Sequence, residues 1–257
     1  MYIIRWMVVR SIARARAALA LFIIAACNPL GRQYEYEEQL YLATDGSATV
    51  LLDASLPALA ALRGMPLDSD AARLDRSTIR RAFESGGCDV MNVTQPWRRK
   101  GRRFIQVRLR IVDVRAENTC KWLGWSTYRL VAEGENLRYQ QAVGAPSGGD
   151  PGAPAWDRSE LVAFKLHLPS RVLDHNVKTL DGSNGSLERG NILTWEQTLE
   201  DRLAGKPIEI NVVMGAQSIL YQTLGLFAGA FVAAVIVLGG IAWWVMKKKR
   251  TSGVFRQ

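Results

Sequence analysis

The chain has 257 residues, of which 48% are apolar and 22% charged, and a formal net charge of +9. That length holds one or two domains of ordinary globular composition. Residues 1–27 carry four arginines and residues 247–257 five lysines and arginines, with no acid in either stretch, so the two ends hold the whole net charge. Each basic end abuts an apolar run, which argues against nucleic-acid binding and for a membrane address.

The N-terminus has the parts of a secretory signal: Arg5, Arg10, Arg14 and Arg16, an apolar stretch from Ala17 to Ala26, then small residues. Its end, Ile24-Ala25-Ala26-Cys27, resembles the bacterial lipobox. The resemblance implies that residues 1–26 are a signal peptide and that Cys27 is the site of lipid attachment after cleavage. An uncleaved N-terminal anchor is the alternative, and both readings place the following domain outside the cytoplasmic membrane.

The exported part, residues 27–218, reads as strand-rich α+β, an antiparallel sheet with one or two short inserted helices. Residues 33–54 read as a hairpin around Thr44-Asp45-Gly46-Ser47. Leu56–Leu62 predicts a short helix, and Asp68–Glu84 a second that stops at Gly86-Gly87. In the next segment Ile105, Val107, Leu109 and Ile111 alternate with polar residues, the period of a half-buried strand. Val90–Thr94 is expected to pair with it across a loop from Pro96 to Arg103. Asp113–Trp122 reads as a short helix, and Ser126–Ala132 with Leu137–Val143 as a hairpin across Gly134. Residues 144–155 are rich in Gly and Pro and predict a flexible loop. Strands resume at Leu161–Leu168, Leu173–Thr179, Ile192–Leu199 and Ile208–Met214, and a single domain is favoured.

No charged residue occurs from Ile210 to Met246, and Leu224–Met246 is an almost wholly apolar run of 23 residues. A hydrocarbon core needs about 20 residues as helix. Trp243 and Trp244 suit the headgroup layer, and Lys247–Arg250 mark the cytoplasmic side. Residues 219–246 are therefore expected to be a transmembrane helix, with 247–257 a short basic cytoplasmic tail. Gly225, Gly229 and Ala233 offer a small-residue face for helix packing, a spacing that also arises by chance.

With Cys27 assigned to lipid, Cys88 and Cys120 remain, and two cysteines in an exported domain suggest one disulfide, against two buried thiols. The cluster Trp97, Arg98, Arg99, Lys100, Arg102 and Arg103 falls at an expected hairpin tip. It is read either as an anionic-surface contact or as a solvated hairpin end whose charge discourages aggregation. Trp122, Trp125, Trp156 and Trp195 line an apolar ligand cavity or simply belong to the core. His167 and His175 have no readable catalytic partner, and no metal-ligand spacing or phosphate loop is present in the sequence. No metal and no cofactor are implied, and a catalytic role is not expected.

The order of lipobox at Ile24–Cys27, strand-rich run with Asn184-Gly185 and Trp195, and apolar helix with basic tail at Leu224–Arg250 resembles the LppM-type bacterial envelope lipoproteins. The resemblance implies a surface-tethered module that binds a lipid or glycolipid, and it supplies no site residues. The expected function is that of a doubly anchored, non-catalytic binding module for an envelope lipid, glycan or protein. Its expected partners are membrane lipids, with an envelope glycolipid or a membrane protein, and no nucleic acid. A structural or assembly subunit acting through its transmembrane helix and basic loop is the alternative, and an envelope enzyme a second one.

Overall fold

The computed structural model describes residues 32–67, 74–116, 120–148, 156–188, 190–217 and 219–252. Among the described residues, eleven strands form two sheets. The larger has seven strands in the order β10 (Ile192–Thr198), β8 (Leu161–His167), β1 (Tyr36–Leu42), β2 (Ala48–Ser55), β5 (Arg102–Ile111), β3 (Asp89–Val93), with β4 (Trp97–Arg99) also paired to β5. The smaller runs β6 (Ser126–Glu133), β7 (Asn136–Val143), β11 (Ile208–Gly215), β9 (Val172–His175). The protein is a strand-rich α+β structure with a few short helices and one long C-terminal apolar helix.

Period-two alternation places the core. In β1, Tyr36, Glu38, Leu40 and Leu42 are buried, and in β5 Ile105, Val107, Leu109 and Ile111 face the same interior. Tyr139, Val143, Ile210, Val212 and Met214 of the smaller sheet close over them. Strands from both sides of residues 144–155 share each sheet. β8 lies parallel to β1 with Tyr36 opposite Val162, and β11 pairs antiparallel with β7. The larger sheet is thus mixed and not wholly antiparallel.

The first helix, α1 (Leu56–Arg63), follows β2 without a break. Ser55 Oγ accepts from the Ala58 N–H at 3.1 Å, and Gly64, in the left-handed region at φ 63°, ends it. The second, α2 (Arg76–Glu84), is shorter than the expected 68–84. Asp75 caps it by accepting from the Thr78 N–H at 2.8 Å, while residues 68–73 lie outside the described part. The described residues of Asp113–Trp122, which are 113–116 and 120–122, form no α-helix. Val114 N–H donates to the Gly46 carbonyl, Arg115 pairs with Asp113, and only Lys121–Leu123 makes a single 3-10 turn. The strand expected over 173–179 ends at His175, and a five-residue helix, α3 (Leu199–Leu203), follows β10 behind the Thr198 cap.

Residues 144–148, the described part of the expected flexible loop, are held. Gly144 N–H donates to the Trp125 carbonyl, and Ser147 N–H donates to the Leu62 carbonyl. The C-terminal helix, α4 (Ile219–Ser252), continues beyond 246 through the basic residues. Its segment Thr223–Trp244 has a mean hydropathy of 2.5 and none of it is buried against the rest of the chain, so it is long and apolar enough to cross a membrane.

Candidate functional site

The basic cluster is a hairpin, not an open loop. β4 pairs with the start of β5 through Trp97–Phe104, Arg98–Arg103 and Arg99–Arg102. Lys100 (φ 48°) and Gly101 (φ 76°) make the turn, both in the left-handed region that two-residue hairpins require. Three of its cationic and aromatic members turn toward the fold. Arg102 Nε lies 2.9 Å from Glu35 Oε1 and its Nη2 lies 3.3 Å from Glu160 Oε1, with all three side chains largely buried. Arg99 donates to the Tyr34 carbonyl and stacks over Phe104, against which Trp97 also stacks. Arg98 and Lys100 remain exposed. The outward basic surface is therefore smaller than the run of letters suggests. Arg102 is withdrawn because Glu35 and Glu160 require a cation where they are buried.

A second polar cluster sits inside the core, and sequence reasoning missed it. Arg63, in the last turn of α1, reaches Glu38 Oε2 at 2.7 Å through Nη2 and donates to the Tyr36 hydroxyl. Its guanidinium lies 3.4 Å over the Trp125 ring. Arg202 of α3 approaches the same ring and donates to the Gly144 carbonyl at 2.7 Å, while its Nε and Nη1 are buried without hydrogen-bond partners among the described residues. Tyr139 donates to Gln141, which donates to Ser126. Burial holds the Tyr36 and Tyr139 hydroxyls well above the ordinary tyrosine range. Burial and the neighbouring Arg63 lower the Arg202 pKa. The one available signal was that Glu38 and Arg63 fall on the core-facing period of their elements.

A third feature is a groove of about 450 Å³ between the outer edge of β10 and the start of β11. Trp195 lines it, and around the indole stand Asn176, Lys178, Glu196, Asp201 and Lys206. Trp195 Nε1 donates to Asn176 Oδ1 at 3.2 Å, and Tyr34 donates to Glu196 at 2.5 Å. The polar groups of the groove are largely paired with one another, Lys206 with Asp201 at 3.2 Å and Lys178 with Asn184, around an indole that is only 5% exposed.

The other expected site residues are placed as follows. Cys27 lies outside the described residues. Cys88 and Cys120 are joined in a disulfide. A side chain added at Gly225 or Gly229 would meet nothing, and Ala233 is exposed, so the small-residue face of α4 has no neighbour among the described residues. Trp122, Trp125 and Trp195 are buried, and Trp156 is half-buried and donates to Glu35. His167 stacks on Tyr41 and bonds Gln39, and burial lowers its pKa. Among the described residues, no group of three or more His, Cys, Asp or Glu is placed to hold a metal ion.

No protein-family model matches the chain, and no curated protein matches it. Among solved structures it is similar to the folded domain of the Mycobacterium tuberculosis LppM protein, determined by NMR. The identity is 12% and the TM-score 0.36, over 73% of this chain and 94% of that one. The likeness is distant and assigns no residue of this chain a role.

Proposed function

We propose that the chain is a bacterial envelope lipoprotein, lipidated at Cys27 and held by α4 in the cytoplasmic membrane. Its exported domain binds an envelope glycan or the glycan part of a glycolipid, without turnover. The observation that carries this reading is the Trp195 groove, whose rim of Lys178, Glu196, Asp201 and Lys206 suits a hydroxyl-rich ligand better than an acyl chain. The exposed Arg98 and Lys100 lie on the hairpin tied to Tyr34, whose hydroxyl bonds Glu196 of the groove, and they favour a ligand bearing anionic groups. The test is titration of the full chain in detergent with envelope glycan fragments, neutral and anionic, read by tryptophan fluorescence. Saturable binding that weakens at least tenfold in Lys178→Glu/Lys206→Glu supports the reading. Equal fluorescence response in that variant removes the groove from it.

A second reading, an assembly subunit working through its helix, rests on the small-residue spacing of Gly225, Gly229 and Ala233. In-membrane crosslinking to a defined protein, lost on Gly229→Leu, distinguishes it from the first.

A further inference from the structure

The chain enters and leaves its sheets at opposite ends of one strand. At the start of β8, Glu35 N–H donates to the Leu161 carbonyl at 2.7 Å, beside Tyr34, and Arg102 and Arg99 fix the basic hairpin to this same end. At the far end of β8, His167 pairs with Ile192, and Leu168 N–H donates to the Asn191 carbonyl at 3.0 Å. Asn191 Nδ2 donates to the Ser170 carbonyl at 3.1 Å. The next residue, Arg171, accepts from the Gly215 N–H at 3.0 Å, where β11 ends. Seven residues of strand separate the two ends, about 20 Å of rise.

The exit toward α4 is short. Ala216 N–H donates to the Glu135 carbonyl of the β6–β7 turn at 2.9 Å, and only residues 217 and 218 stand between that bond and the first residue of α4. The apolar segment begins at Thr223. From Gly215, three linker residues and four helical ones reach at most about 17 Å. A bilayer that holds α4 therefore lies close beneath the β6–β7 turn and the start of β9, and the hairpin of Arg98 and Lys100 stands on the opposite side of the domain.

The geometry points to a lipid-contact surface formed by the Gly134–Glu135 turn, Arg171 and Leu173, with the bilayer around α4 as its occupant. It rests on the spanning role proposed for α4. Leu173 is 51% exposed, an apolar side chain available to the interface, and the exposed Arg171 stands two residues away for a headgroup phosphate. Glu135 opposes Arg171 in charge, and Glu133 is neutralised by Arg138 at 2.6 Å. The face is near neutral, so contact comes from the short tether and from Leu173, and it is insensitive to salt.

The test uses the full chain with Cys27→Ala, reconstituted in phosphatidylcholine/phosphatidylglycerol vesicles. Leu173→Cys or Arg98→Cys carries an environment-sensitive fluorophore, and the lipids carry a headgroup quencher. Quenching at position 173 at least threefold stronger than at 98, unchanged by 0.5 M salt, is expected. Equal or reversed quenching in protein that resists alkaline carbonate extraction overturns the contact alone. Loss of the protein to carbonate extraction overturns the spanning role of α4 and the contact with it.

Discussion

Arg63 Nη2 and Glu38 Oε2 meet at 2.7 Å with both side chains 2% exposed, and among the described residues no second carboxylate answers the buried Arg202. Removing one partner of such a pair strands a charge inside the fold. Arg63→Met or Glu38→Gln is expected to destabilise the domain by about 3–5 kcal/mol, and the double substitution by clearly less than the two together. Urea denaturation of the full chain followed by tryptophan fluorescence reads this, since Trp125 lies under the guanidinium.

Asp53 gives a pH dependence of known sign. Burial, with Glu37 nearby as the second cause, pushes its pKa up to about 6. Between the ordinary carboxylate range and pH 6 the folded state holds a proton that the unfolded chain has lost, so stability falls as pH rises from about 4 to 6. Asp53→Asn is expected to remove that slope and to leave the variant more stable than the parent above pH 6, by about 1–3 kcal/mol. Denaturation midpoints at pH 4, 5, 6 and 7 check it. A parent midpoint that rises through this window contradicts it.

The Cys88–Cys120 bridge closes a loop of 32 residues. In the chain-entropy view it contributes about 3–4 kcal/mol. Cys88→Ser/Cys120→Ser is expected to lose that amount and to free the end of α2, which Trp122 holds through its bond to the Ala82 carbonyl. Hydrogen exchange over residues 76–88 reports the second effect separately from the global stability.

Lys100 occupies a left-handed turn position that asparagine or glycine takes at lower cost. Lys100→Asn is expected to stabilise the hairpin by up to about 1 kcal/mol while weakening any anionic ligand held at that end. A gain in stability with unchanged affinity for anionic glycan fragments would separate the turn from the ligand.

Much of the fold was legible where local pattern decides it. The alternation from Ile105 to Ile111 placed β5, the polar break at Thr44–Ser47 placed the first hairpin, and the apolar run after Ser55 placed α1. β4 was hidden because Trp97–Arg99 has only three residues, two of them cationic, and its turn is Lys-Gly in place of the usual Asn-Gly. The parallel pairing of β1 with β8 joins residues more than 120 positions apart and leaves no local trace. The candidate site was less legible than the fold. Arg102 was read with the outward basic cluster, and nothing local singles out Arg63 or Arg202, yet each is turned inward by a partner or a ring from a distant segment. The groove was illegible for the same reason, since Asn176, Trp195 and Lys206 come from three separate stretches of chain.

The bond from Ala216 to Glu135 leaves two residues between the smaller sheet and α4. Two residues span at most about 7 Å. Were α4 to cross a bilayer, the sheet would turn with the helix and would not swing free of it, so the distance from the lipid surface to the Trp195 groove would be fixed by the fold itself.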